Sequence, residues 1–323
     1  MNKALNIALG TLIAVGLSAP VAAHNWFDQL AVKAAATYTK PTNNGLDFGF
    51  LRTGNFSYRP FFVEPSHEFD FAWGLEFRTN HDGDTRAFLE YDHYNHSKQR
   101  AASGLILLGS GPEADSTVTG DVSHDEHSIK FGARHTLHFG PYFDTVLGGF
   151  FEYANVEKTW KRAYAAPGGA IQVFDFSEDQ MRGWGPGIDA LGRAFPFGNE
   201  NHNWSLFAAG SFSLLWADHE YHYASSPNQQ EEQDALALDP EDTKSRVSKM
   251  ETSLGVEYSR LFTSDVASVV LGARLGVKYL GYFNAFKGGN HDSVVSGAVQ
   301  FSRDYDYGRM GPFLEFRLGG AHS

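Results

Sequence analysis

The stretch Trp204-Ser-Leu-Phe-Ala-Ala-Gly-Ser-Phe-Ser-Leu-Leu-Trp216 decides the predicted fold, because bulky apolar residues dominate every second position. On an extended strand, Trp204, Phe212 and Trp216 lie on one face. The two tryptophans are twelve residues apart, so at ~3.3 Å per residue and a tilt of about 40° they lie roughly 30 Å apart along a barrel axis. Outer-membrane barrels carry an apolar band ~25 Å tall with an aromatic girdle at each edge. The stretch therefore predicts one strand of a transmembrane β-barrel.

The N-terminus has the features of a secretory signal peptide. Met1-Asn-Lys3 precedes an uncharged run from Ala4 to Leu17, and small residues lead up to Ala23. We expect export and cleavage before His24, so that residues 1–23 are the signal peptide and residues 24–323 form a single barrel domain.

The composition of the mature chain limits its class. It has no continuous apolar run of the ~20 residues that a spanning helix needs, so a membrane location requires strands closed on themselves. The absence of cysteine excludes disulfides and thiolate zinc sites. A net charge of −12 argues against nucleic acid as a partner.

Ten segments alternate with a strand period, which predicts an all-β fold, an antiparallel transmembrane β-barrel of about ten strands. The segments are 30–39, 68–78, 86–95, 128–138, 142–155, 184–195, 204–216, 250–261, 266–283 and 307–318. Three further segments, 47–53, 56–63 and 294–302, also alternate, and we interpret them as strand extensions above the outer rim. A count of twelve strands stays open.

The connections alternate in length. Short turns are expected at 80–84, 139–141, 196–203 and 261–265, and long polar loops at 40–67, 96–126, 156–180, 219–245 and 284–306. Short periplasmic turns with long extracellular loops are typical of bacterial outer-membrane barrels, and both termini then lie on the periplasmic side. A soluble all-β protein has no reason to collect its long loops at one end.

If the apolar faces contact lipid, the alternate faces line the lumen. The predicted pore-lining residues are Glu76, Arg78, Arg86, Glu90, Lys130, Arg134, Asp189, Arg193, Glu251, Arg274, Lys278, Glu315 and Arg317. Glu251 is expected diagonal to Arg274 and Lys278 across the turn at 262–265. The predicted aromatic girdle is Trp73, Trp184, Trp204, Trp216, Tyr258 and Tyr279. The same side chains allow a narrow aqueous channel or a filled lumen, and both alternatives stay open.

Three segments together resemble a known family. They are Phe69-Asp-Phe-Ala-Trp-Gly74, Gly183-Trp-Gly-Pro-Gly-Ile-Asp-Ala190 and Ser205-Leu-Phe-Ala-Ala-Gly-Ser-Phe-Ser-Leu-Leu215. They are similar to the pore-forming outer-membrane proteins typified by the major outer membrane protein of Legionella, over about residues 67–318. The resemblance implies a porin-like pore in the outer membrane of a Gram-negative bacterium, with membrane lipid and small hydrophilic solutes as partners. It allows a homo-oligomer, although without cysteine the subunits are not disulfide-linked.

Two polar clusters raise the question of metal binding or catalysis. They are His124-Asp-Glu-His127 and Asp218-His-Glu-Tyr-His222. Asp218, Glu220 and His222 share a strand face, but with no fourth ligand in view a solvated loop is the favoured interpretation. Asp92 with His93, or Asp218 with His219, could form a catalytic couple, but neighbours on a strand point to opposite faces. We therefore expect no enzyme activity, no metal and no cofactor.

The expected function is an outer-membrane pore for small hydrophilic solutes or ions. The first alternative is a closed barrel that acts as a surface adhesin through its long loops. The loop Asn228 to Lys244 carries six acidic residues, which usually indicates only a solvated surface. The second alternative is a hydrolase at the barrel rim.

Overall fold

Long antiparallel strands make up nearly all of the described chain. The computed structural model describes residues 29–41, 46–54, 57–63, 66–79, 84–107, 114–165, 171–198, 202–226, 243–263, 268–287 and 304–320. Among these residues there is no helix that is long and apolar enough to span a membrane.

Twelve strands follow one another in the described residues. They are β1 Leu30–Pro41, β2 Leu46–Gly54, β3 Ser57–Val63, β4 Glu68–Arg78, β5 Thr85–Leu107, β6 Ala114–His138, β7 Phe143–Ala165, β8 Ile171–Gly198, β9 His202–Ser226, β10 Thr243–Thr263, β11 Ser268–Lys287 and β12 Asp304–Gly320.

Ten of these strands close into a barrel. The order β5-β4-β1-β12-β11-β10-β9-β8-β7-β6 is completed by pairing of β6 with β5. The remaining strands, β2 and β3, form a hairpin that joins the barrel where Phe50 and Leu51 pair with Leu107 and Ile106 at the far end of β5. The prediction of ten strands with an extension at 47–63 is confirmed, whereas 294–302 lies outside the described residues.

The strands are tilted, because the register shifts by twelve residues around the barrel. From Trp216 on β9, the residues directly opposite one another on successive strands are Trp184, Tyr153, Ile129, Tyr91, Trp73, Ala34, Phe316, Ala273 and Tyr258, and the path returns to β9 at Trp204. For ten strands ~4.8 Å apart this corresponds to a tilt of about 40°. From Trp216 to Trp204 this path descends by roughly 30 Å along the barrel axis. The position of a residue relative to the path therefore gives its level along the axis.

The strands are longer than predicted at one end of the barrel. The segment expected at 86–95 extends to Leu107, and that at 184–195 begins at Ile171. The expected loops 96–126 and 156–180 are therefore wrong over much of their length, because these polar residues continue to pair between neighbouring strands. The same holds for 219–226 and 243–245 of the third expected loop, whereas 227–242 lies outside the described residues. The turn expected at 196–203 is also shorter, since β8 ends at Gly198 and β9 begins at His202.

The turn between β10 and β11 also lies later than expected. β10 continues to Thr263 and β11 begins at Ser268. The register of the two strands is therefore shifted by four residues from the predicted one, and Glu251 lies opposite Leu280. This shift decides which charged residues can meet across the two strands.

The two faces of each strand differ as predicted. Large apolar side chains point away from the barrel, with Phe69 73%, Ile188 67% and Leu254 65% exposed. The intervening positions point inward, as with buried Glu76 beside exposed Phe77. An outward apolar surface of this extent requires lipid, so the transmembrane orientation of the faces is confirmed.

The described ends of the chain lie together. Ala31 on β1 is opposite Gly319 on β12, at the barrel end where the connections are short. The other end carries the long hairpins, and we call it the outer end.

Candidate functional site

The lower part of the lumen contains a cavity of about 220 Å³ that we call the charged cavity. Twelve of the thirteen predicted lumen residues line it: Glu76, Arg86, Glu90, Lys130, Arg134, Asp189, Arg193, Glu251, Arg274, Lys278, Glu315 and Arg317. Arg78 shares the inward face of Glu76, two residues nearer the short turns. These twelve side chains thus share one cavity in the lumen. Their contribution to a pore stays a prediction.

Ion pairs connect the wall of the charged cavity across several strands. Glu76 lies 2.9 Å from Lys33 Nζ and 2.7 Å from Arg317 Nη2. Arg134 lies 2.6 Å from Glu90 and 2.5 Å from Asp189. A side chain at Gly148 would collide with Asp189, so the glycine leaves room for that second pair. These pairs fix the neighbouring strands relative to one another.

The shifted turn changes the expected pairing of Glu251. Lys278 does lie 3.6 Å from Glu251, as predicted. Arg274, however, pairs with Glu257 at 2.9 Å and with Glu315 at 3.1 Å, because the register places Glu257 directly opposite it. The predicted diagonal from Glu251 to Arg274 is therefore wrong.

The charges of the cavity wall nearly balance. Eight basic and six acidic residues line the cavity, and the acidic residues are Glu76, Glu90, Asp92, Asp189, Glu251 and Glu315. Glu257 and Asp144 adjoin the wall through Arg193, at 3.0 Å and 3.4 Å. Opposite charges therefore lie close together around the cavity wall.

Nearer the outer end, the lumen is filled by a layer of buried side chains that we call the closing ring. Every strand of the barrel contributes one residue that is at most 5% exposed: Thr39, Asp70, Tyr94, Glu126, Ala154, Met181, Leu215, Val247, Tyr282 and Arg309. By strand register these residues lie within roughly 13 Å of one another along the axis, near the level of Trp216. All ten side chains are buried, so solvent is largely excluded from the described residues at this level of the lumen.

One side of the closing ring is apolar. Met181, Leu215 and Val247 belong to a buried cluster that also contains Phe286 and Tyr307. This cluster reaches from β7 and β8 across the lumen to β11 and β12. Van der Waals packing of these side chains excludes water from this half of the cross-section.

The other side of the closing ring is ionic. Arg309 forms an ion pair with Asp70 and lies 2.5 Å from Asp92 and 2.9 Å from Glu126. The hydroxyl of Tyr282 donates a hydrogen bond to Glu126 over 2.9 Å. The single guanidinium group thus offsets two buried acidic residues, Asp70 and Glu126, and also contacts Asp92 at the edge of the charged cavity.

A second buried pair crosses the lumen just below the ring. Lys249 Nζ lies 2.5 Å from Glu152, whose other carboxylate oxygen accepts a hydrogen bond of 2.7 Å from Ser213. The predicted lumen residues did not include Lys249 and Arg309. Both lie an even number of residues from a predicted inward residue, Glu251 or Glu315, so the strand period would have placed them on the inward face.

Aromatic residues mark two levels on the outside of the barrel. Trp184 and Trp216 are in tilted contact at the outer level with ring centroids 5.3 Å apart, and Trp204 and Tyr258 pair near the short turns at 4.8 Å. Trp73 lies half-way along the descending register path, so its predicted place at a rim is wrong. Tyr279 lies six residues above the path on β11, in the outer half of the span.

The suspected catalytic couples do not form. Asp92 points into the lumen, where it contacts Lys278 at 2.9 Å, whereas His93 lies on the opposite face. Buried His219 hydrogen-bonds Ser245 at 2.5 Å, whereas Asp218 is exposed on the outside. The expectation that strand neighbours point apart therefore holds at both positions.

The suspected metal ligands are arranged differently from the two predicted clusters. In the described segments, Asp218, Glu220 and His222 do not converge as a ligand group, and Glu220 lies 3.8 Å from Arg182. His124 is buried inside the barrel, away from His127. Instead, His127 and Asp125 meet His93 of the neighbouring strand, a set that only the β5–β6 register reveals.

Comparison with known proteins supports a family assignment. The family model described as Legionella pneumophila major outer membrane protein precursor matches residues 19–320. The chain belongs to this family. Together with the lipid-facing apolar surface, this makes it an outer-membrane β-barrel protein. No curated protein matches the chain.

Several solved barrels show limited similarity. The outer membrane protease OmpT from Escherichia coli aligns with TM-score 0.44 and 8% identity, over 91% of this chain and 97% of that one. The translocator domain of the autotransporter NalP from Neisseria meningitidis gives 0.37 and 15%, over 98% and 95%. The Pseudomonas putida toluene transporter TodX gives 0.31 and 6%, over 96% and 94%.

Proposed function

We propose that the protein is a porin-like pore for small hydrophilic solutes and ions, and that the closing ring holds the described state shut. The charged cavity would be the permanent part of the pathway, and side chains of the ring would have to move for passage. An N-terminal signal peptide ending at Ala23 would direct export to the outer membrane of a Gram-negative bacterium.

The ionic half of the closing ring is the observation that carries this proposal. Arg309, Asp70 and Glu126 are all at most 5% exposed. Burying charges costs several kcal/mol per ion, and well-packed apolar residues often serve as well or better in a permanently dry core. Charged residues at this level are therefore best explained by a second state in which water reaches them.

A closed barrel with a surface role is the second candidate. The closing ring and the long hairpins both favour it. β8 begins at Ile171, thirteen residues before Trp184 at the outer level, and β9 continues ten residues beyond Trp216. Such hairpins would present an adhesive surface with no need of transport. Neither candidate uses an enzyme activity.

Planar-bilayer recording of the purified, refolded protein tests the pore. We expect discrete conductance steps with weak ion selectivity, because the wall charges nearly balance. Protein that shows heat-modifiable migration but gives no steps at any applied voltage would reject the pore. In that case, loss of adhesion on deleting residues 228–242 would support the second candidate.

A further inference from the structure

Three side chains with metal-ligating atoms meet on the outer face of the β5–β6 hairpin. His93 is directly opposite His127, and Asp125 lies two residues from His127 on the same face. Asp125 Oδ1 lies 3.1 Å from His127 Nε2 and 3.4 Å from His93 Nε2. The three candidate ligand atoms all lie within 4.8 Å of one another.

We propose that His93, Asp125 and His127 bind one divalent transition-metal ion, with Zn²⁺ as the reference ion. Three protein ligands leave a fourth position for water. This site is independent of the proposed pore, because it lies on the outer surface of the barrel.

The distances match tetrahedral coordination. Zinc binds imidazole nitrogen and carboxylate oxygen at about 2.0–2.2 Å, which places ligand atoms of a tetrahedron roughly 3.4 Å apart. The two nitrogen-to-oxygen distances, 3.1 Å and 3.4 Å, are already close to this value. Because the two imidazole planes are parallel, at 5°, at least one ring would have to turn about its side-chain bonds before both Nε2 lone pairs could point at one ion. The paired strands would not have to move.

Neighbouring groups orient the ligands. The hydroxyl of Tyr91 lies 2.9 Å from Nδ1 of His127. If Nδ1 carries the proton, it donates to Tyr91 and leaves the lone pair of Nε2 directed at Asp125. Such a contact behind a histidine ligand is typical of metal sites. The imidazole rings of His93 and His127 stack with centroids 4.4 Å apart and planes at 5°. Both Nε2 atoms lie within 3.4 Å of Asp125 Oδ1, so they are on the same side of the stack.

The carboxylate supplies an independent indication of a missing cation. Oδ1 of Asp125 is buried and has no hydrogen-bond partner within the described segments. An acceptor without a partner costs free energy, and a bound cation would satisfy it. Two imidazoles with one carboxylate suit Zn²⁺, Cu²⁺ or Ni²⁺, whereas Ca²⁺ and Mg²⁺ prefer oxygen ligands alone.

The location gives the ion a structural consequence. By strand register, His93 and His127 lie at the outer edge of the apolar band, just below the level of Trp216. Both strands are continuously paired from Thr85 to Ile106, so the ligands stand on a rigid support. A bound ion would join β5 to β6 where the hairpin leaves the membrane.

Zinc titration of the refolded barrel in detergent micelles, read by competition with a chromogenic chelator, tests the proposal. We expect one Zn²⁺ per wild-type chain, and visible Co²⁺ absorption bands of a tetrahedral site. The variants His93→Gln and His127→Gln should lose both signals. Tyr91→Phe should weaken binding by about tenfold, because it removes only the orienting hydroxyl.

His135→Gln is the matched control, because His135 is an exposed histidine of β6 that is absent from the ligand group. It should leave the zinc affinity unchanged, as should excess Ca²⁺ or Mg²⁺. Undiminished binding by a doubly substituted His93→Gln and His127→Gln chain would overturn the proposal. So would the absence of stoichiometric binding by the wild type. Heat-modifiable migration confirms that each variant is folded.

Discussion

The closing ring and the charged cavity occupy the same lumen but are built differently. In the cavity wall each charge meets opposite charges and partly contacts solvent, as with Arg317, which is 21% exposed beside Glu76. In the ring, the Arg309 side chain is 1% exposed and pairs with Asp70 and Glu126, whose side chains are at most 1% exposed. Breaking an ion pair should therefore change the free energy of unfolding little in the charged cavity and much more in the closing ring.

Arg309→Met should have the largest effect of any single substitution that we predict. It leaves Asp70 and Glu126 buried and without their cation, which should lower the free energy of unfolding by about 3–5 kcal/mol. The control is Arg317→Met in the charged cavity, where Glu76 keeps Lys33 as a partner at 2.9 Å. Denaturant titration of both variants in micelles measures the difference, and equal losses would contradict it.

Met181→Ala should have the next largest effect, because it creates a cavity in the apolar half of the ring. We expect a loss of about 2–5 kcal/mol in the same titration. Met310→Ala is its counterpart on the lipid face, where Met310 is 53% exposed. Lipid fills the space left there, so a much smaller loss is expected. A similar loss for both variants would mean that Met181 is not tightly packed.

Acidification should lower the free energy of unfolding through the buried His124. His124 lies inside the barrel above the membrane-spanning segments, and burial, with nearby Lys158, holds its pKa well below the ordinary value. The unfolded chain therefore binds more protons below about pH 6.5, and stability falls by up to ~1.4 kcal/mol per pH unit, roughly 2 kcal/mol between pH 6.5 and 5.

His124→Gln should flatten this pH dependence, because the substituted side chain does not titrate. Exposed His135→Gln serves as the control and should leave the slope unchanged. Unfolding midpoints measured at several pH values provide the comparison. Identical slopes for the wild type and His124→Gln would show that another group is responsible.

Glu315→Gln should give the smallest effect, because it removes one carboxylate from a partly hydrated wall. We expect the anion-to-cation permeability ratio to rise by about twofold, since the effect of a single charge is limited by water and screened by salt. Glu315→Asp keeps the charge and should leave the ratio unchanged. Reversal potentials in a salt gradient measure both variants, and a fall in the ratio for Glu315→Gln would contradict the prediction.

The alternation of residues was sufficient to predict which side chains face lipid and which face the lumen. Phe77 beside Glu76 shows why, since within the membrane span a large apolar side chain points outward and its charged neighbour points inward. Strand length was not predictable in the same way. Above the membrane both faces of a hairpin can be polar, so residues such as those after Asn95 carry no period that separates a strand from a loop.

Contacts across the lumen were beyond sequence reasoning. Arg309 and Glu126 are 183 residues apart, and they meet because of the twelve-residue register shift around the closed barrel. The set of His93, Asp125 and His127 has the same origin, since it depends on the register of β5 and β6. The turn after β10 shows the same dependence on register. A four-residue error there predicted a diagonal contact between Glu251 and Arg274, whereas Glu251 lies opposite Leu280.

Conductance of a ring-opened variant tests the account most directly. Tyr282→Ala removes a fully buried side chain of the closing ring, and Tyr153→Ala removes the same side chain from the lipid face, where Tyr153 is 43% exposed. If the ring is the barrier, the first substitution should raise single-channel conductance or open probability in planar bilayers, and the second should match the wild type. Unchanged conductance in folded Tyr282→Ala protein would contradict the central claim.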